Sequence, residues 1–121
     1  MSSEEKKAFL LLKSVIFHYH GLDEDEQKIL DETARELDAV NELQWANEFI
    51  SKDYLTAFER ARDFLNEVIK PLDKDRRLSI LDMVWKANNQ KGYITEMEAT
   101  AMLKLAKDWK IENELITMVR G

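Results

Sequence analysis

The chain has 121 residues, enough for one domain to bury a real core without a covalent or metal staple. It has no cysteine, which excludes disulfides, thiolate metal sites and cysteine nucleophiles, and three glycines with one proline offer too little turn chemistry for an all-β fold. Eighteen basic against twenty-four acidic residues give a net charge of -6, which opposes nucleic-acid phosphate and anionic lipid.

The first helix is expected over 3–20, opened by a Ser2-x-x-Glu5 capping box. Ala8, Leu11, Leu12, Val15, Ile16 and Tyr19 form one wide apolar stripe with Phe9, Leu10 and Phe17 at its margins, and Lys13 and Ser14 are the main polar interruptions. A helix apolar on most sides belongs at the centre of a bundle. The run Ala8–Leu12 is far too short to span a bilayer, and no positive leader precedes it, so cytoplasmic residence is expected. Gly21 supplies the positive φ that commonly closes a helix.

Asp23 with Glu26 makes the capping box of a second helix. From Asp23 to Glu36 there are seven acids and two bases, an acidic surface able to attract a cation or a basic partner. A third, short helix is expected from an Asn41–Gln44 box through Leu43, Ala46, Phe49 and Ile50. Helix four is expected over 53–69, with Tyr54, Phe58, Ala61, Leu65 and Val68 at helical spacing and Pro71 as its stop. Asp73-x-x-Arg76 opens helix five, Thr95-x-x-Glu98 gives helix six a strong capping box, and a final helix runs over 112–119. Trp45 and Trp109 read as interhelical packing surfaces.

The fold class is therefore all-α, a single domain over 1–121 built as a bundle of about seven helices. A shift of 72 residues lays Leu12 on Val84, Glu26 on Glu98, Leu30 on Met102, Ala34 on Ala106, Leu37 on Trp109 and Leu43 on Leu115. Two halves, about 3–50 and 73–119, would then pack around an approximate two-fold axis, joined by helix 53–69.

Within the second unit, the turn NNQKGYITEME invites comparison with an EF-hand calcium loop. With Gly92 at the sixth position, Ala87 holds the first and Lys91 the fifth, and an alanine and an ammonium remove two required oxygen ligands. His18 and His20, two apart, do not share a helix face. Phosphate loops, dinucleotide fingerprints and nucleophile contexts around Ser14, Ser51 or Ser79 are absent, so no catalytic residue is assigned.

Gly92, Ile94, Thr95 and Glu98, after an apolar helix, resemble the repeated turn of the tellurite-resistance TerB-like domains; Gly21, Leu22, Asp23 and Glu26 match it more loosely. Lys91 and His20 stand where that family places aspartate. The resemblance implies a compact helical domain of two related halves, linked to tellurite resistance and stress responses. It also implies Asp23, Glu26 and Glu98 as metal candidates for a weakly held divalent cation. Helix-cap duty is the plainer reading of all three. The expectation is a non-enzymatic interaction domain, its protein partner meeting the acidic surface 24–36 through Glu24, Asp25 and Glu32 or meeting an exposed Trp/Tyr patch. The alternatives are a metal-responsive domain, a plain scaffold or dimerisation domain, and an enzyme with a carboxylate pair.

Overall fold

Ten consecutive residues of the first helix, Ala8 to Phe17, are buried, and the rest of the molecule is arranged to cover them. The computed structural model describes residues 2–18, 23–89 and 95–120, the side chains of 87–89 and 119 excepted. These residues form seven helices: α1 (Ser3–Phe17), α2 (Glu24–Glu36), α3 (Val40–Ser51), α4 (Ala57–Ile69), α5 (Lys74–Asn89), α6 (Glu96–Asp108) and α7 (Glu112–Arg120). The all-α expectation and the helix count hold. Helix α1 packs against α2, α3, α4, α5 and α6. Leu30, Ala34, Ala46, Ile50, Ala61, Leu65, Ile69, Leu81, Met102 and Leu105 close the core around it.

Local chemistry explains most boundaries. Ser2, Asp23 and Thr95 each accept a hydrogen bond from the N–H three residues on, and Glu5, Glu26 and Glu98 each accept one back from the cap N–H. Asp73 accepts from the Arg76 N–H at 2.9 Å, so the least ideal cap also forms. Three boundaries differ from expectation. Helix α1 ends at Phe17 rather than His20, with His18 as its C-cap. Helix α3 opens at Val40 behind Ala39 with no side-chain cap, and the Asn41–Gln44 box does not form. Helix α4 opens at Ala57, because Asp53 turns its carboxylate to the Leu55 N–H instead of starting a helix. The turn positions Gly21, Leu22, Lys91, Gly92 and Ile94, with Tyr19, His20 and Tyr93, lie outside the described residues.

Helices α2 and α6 have the same length and the same ends. Each has thirteen residues, with its capping box starting at 23 or 95. Each closes on a left-handed residue that is not glycine, Asp38 at φ 53° and Lys110 at φ 59°. The N–H of Ala39 then reaches the Ala34 carbonyl at 2.7 Å, and that of Ile111 reaches the Ala106 carbonyl at 2.9 Å. Asp38 and Lys110 add the inner bonds to Arg35 and Lys107, which completes a Schellman closure in both places. Helices α3 and α7 follow at once, starting at 40 and 112. Every one of these pairs is separated by 72 positions.

A polar chain ties α4 to the end of α6. Asp108 accepts two hydrogen bonds from Arg62, at 2.6 and 2.8 Å, and a third from Asn66 at 3.3 Å. The Asn66 carbonyl in turn accepts from the indole N–H of Trp109 at 2.9 Å, so the wholly buried tryptophan meets its one polar need. Arg77 donates to the Trp109 carbonyl oxygen, and Lys74 pairs with Glu114 to hold α5 to α7. Trp109 is thus the packing surface expected of it, and Trp45, though only partly buried, also packs between helices as expected, its ring 5.0 Å from that of Phe64 on α4.

Candidate functional site

The side chains singled out for metal are accounted for by the helix starts. Asp23 accepts from the Glu26 N–H at 2.8 Å, and Glu26 accepts from the Asp23 N–H at 3.3 Å. Glu98 accepts from the Thr95 N–H at 3.0 Å. Both glutamates are wholly buried, Asp23 is exposed, and among the described residues no three His, Cys, Asp or Glu side chains are grouped to hold an ion. The partner candidates Glu24, Asp25 and Glu32 all lie exposed on α2. Their row is not uniformly acidic, however. Glu24, Lys28 and Glu32 follow one another at four-residue spacing, so a base divides the two acids on the same face.

The surface least explained by folding lies between α3 and α4. Leu55 is 96% exposed and Tyr54 64% exposed, although a leucine and a tyrosine side by side would each lose water favourably. Tyr54 does not belong to the buried face of helix four. That face consists of Ala57, Ala61, Leu65 and Ile69, and Tyr54 precedes it on the connecting segment.

This segment is held in place by Arg60. Its Nη1 donates to the Phe49 carbonyl at 2.9 Å, its Nη2 to the Asp53 carbonyl at 2.8 Å, and its Nε to the Thr56 hydroxyl at 3.0 Å. The guanidinium also sits 4.9 Å from the centre of the Phe49 ring, a cation–π contact. With Asp53 fixing the Leu55 N–H at 3.0 Å, both ends of the turn are anchored. Such a scaffold spends a planar, five-donor group on displaying two apolar side chains.

Beside them opens a cavity of about 190 Å³, walled by Val15, Ile50, Ala57 and Phe58 and rimmed by His18, Tyr54 and Leu55. The His18 and Tyr54 rings lie 5.8 Å apart, tilted by 44°. Burial pushes the His18 pKa below its usual value, which keeps the imidazole neutral at pH 7. A polar border of Gln27, Gln44, Asn47 and Ser51 adjoins the same two rings. An apolar centre, an aromatic edge and a polar border make up the anatomy of a small protein–protein contact.

Comparison with models of known protein families, with curated proteins and with solved structures yields no match. Function must be argued from these side chains.

Sequence reasoning placed Tyr54 inside a helix and so missed the surface. The available signal was the polar cluster Ser51-Lys52-Asp53 ahead of Tyr54-Leu55, which marks a loop rather than a helix start. Lys13 was also underread. It is buried in α1, donates to the Thr33 hydroxyl and lies 5.8 Å from the centre of the Phe9 ring.

Proposed function

We propose that the chain is a non-enzymatic helical interaction domain, acting in the cytoplasm, whose protein partner docks an apolar side chain against Tyr54, Leu55 and the cavity beside them. The observation that carries this reading is Leu55, almost fully exposed on a segment that Arg60 and Asp53 hold rigid. Pre-ordering a contact surface lowers the entropy cost of binding, and a buried apolar anchor with a polar border is where interface energy concentrates.

A TerB-like build, with the bacterial tellurite or stress role that the resemblance implies, is part of the proposal. Its support is the 72-residue correspondence of caps, Schellman closures and following helices in α2–α3 and α6–α7. A divalent-cation role for Asp23, Glu26 and Glu98 is left aside because each already serves a helix cap.

Site-specific photo-crosslinking tests the docking surface in cells that make the protein. A photoreactive residue at Leu55 is expected to trap one dominant protein, whereas the same probe at Asp63, exposed on α4, traps none. Equal trapping at both positions, or at neither, rejects the Tyr54–Leu55 surface. Loss of the product on reversing Glu24, Asp25 and Glu32 instead moves the partner to α2.

A further inference from the structure

The cavity beside Tyr54 and Leu55 is selective in what it can hold. Val15 from α1, Ile50 from α3, and Ala57 and Phe58 from α4 give it apolar walls, and among the described residues no carboxylate or ammonium lines it. A charged side chain would lose its hydration there without gaining a partner. The volume of about 190 Å³ exceeds the roughly 150 Å³ of an apolar cavity that admits benzene. A ring fits. The rim adds one polar demand. Among the described residues the His18 imidazole makes no hydrogen bond or ion pair, and its one ring contact is with Tyr54 at 5.8 Å. Because burial keeps it neutral at pH 7, one of its nitrogens donates and the other accepts. In the free protein these nitrogens are left to solvent at the half-buried rim. A leucine or phenylalanine seated in the cavity would cover them without replacing their bonds to water, which weakens binding.

We infer that the partner protein anchors itself in this cavity through an aromatic side chain with a polar edge, a tyrosine or a tryptophan, whose O–H or N–H donates to the free His18 nitrogen. The ring of the anchor packs on Val15, Ile50 and Phe58, and the Tyr54 ring flanks it at the rim. Both residue types join a large apolar area to one polar group and few rotatable bonds, and both are enriched where interface energy concentrates. This inference rests on the docking surface proposed above and names the group which that surface receives.

The test uses the full chain and small probes followed by nuclear magnetic resonance. The probes are 4-methylphenol and 3-methylindole, which carry the polar edge, and toluene, which does not. The Val15 and Ile50 methyl signals are expected to move saturably with every probe. Toluene should bind about tenfold more weakly than 4-methylphenol and leave the His18 ring nitrogen signals in place. His18→Phe keeps toluene binding and removes the preference, whereas His18→Gln, which retains a side-chain acceptor, restores part of it. Circular dichroism confirms that both variants keep their helices. Equal binding of toluene and 4-methylphenol, or a preference that survives His18→Phe, overturns the polar-edge anchor. So does the absence of binding by every probe at millimolar concentration. Probe failure with a protein still trapped at Leu55 overturns the anchor and leaves the docking surface standing. Probe binding with no protein trapped at Leu55 overturns the partner, and a free aromatic molecule is then the occupant.

Discussion

Arg62 holds Asp108 through two parallel hydrogen bonds, 46 positions apart in sequence, and so fixes α4 against the end of α6. The Arg62 bonds, helped by Asn66, keep the Asp108 carboxyl below its ordinary value of 3.8 despite partial burial, and the same contact raises the Arg62 pKa. A carboxylate whose pKa is depressed by folding adds stability above its unfolded pKa and loses it as pH falls through the folded one. Asp108→Asn is therefore expected to cost about 1–3 kcal/mol at pH 7 in urea titration. The gap between variant and wild type closes below pH 3.8. A gap that persists at low pH would assign the loss to packing.

Lys13 is a charge that folding penalises rather than favours, although its slope with pH has the same sign. Burial lowers its pKa from 10.5 to about 8, with Glu36 opposing that shift. The unfolded chain then binds more protons between about pH 8 and 10.5, so stability rises with pH across that window, by about 3 kcal/mol at most. Below pH 8 the penalty of burying the ammonium is fully present. Lys13→Met is expected to be at least as stable as wild type at pH 7, because Thr33 keeps its bond to the Ile29 carbonyl. Subtracting its pH–stability curve from that of wild type should isolate the slope; parallel curves would refute the assignment.

Lys110 occupies left-handed backbone at φ 59° with a side chain that glycine does not carry. Lys110→Gly removes a steric cost of about 1–2 kcal/mol and adds back about 0.5–1 kcal/mol of unfolded-state entropy. A modest rise in melting temperature is expected. Asp38→Gly at φ 53° should gain less, since aspartate tolerates left-handed backbone better than lysine does.

Arg60 is the single group that spans the Phe49 and Asp53 carbonyls. Arg60→Ala should raise amide exchange across 52–56 and weaken crosslinking at Leu55, while the global unfolding energy falls by only about 1–2 kcal/mol. Unchanged exchange would mean that Arg60 does not hold the segment.

The architecture was readable because helix boundaries are written in neighbouring residues. Ser2, Asp23, Thr95 and Asp73 each announce a helix through a bond to a residue three places on, and all four bonds form. The apolar run of α1 likewise announced a central helix. Where reading failed, a long-range contact decided. Asn41 could not cap α3 because the Schellman closure at Asp38 already delivers the chain into it. Asp53 gave up its cap to serve a turn that Arg60 completes from the next helix. The exposed pair Tyr54–Leu55 and the buried Lys13 share that cause, since local periodicity does not say which face a distant helix will cover.

The central helix also sets the order in which the protein can be made. Residues 8–17 are made before every helix that covers them, and among these neighbours α6 is completed only near residue 108. At roughly 5–20 residues per second, this segment waits on the order of ten seconds before its last wall exists. Between the synthesis of α1 and that of α6, a nascent chain therefore displays the apolar residues 8–17. A factor that shields such segments at the tunnel exit would bind it early and be released when α6 arrives.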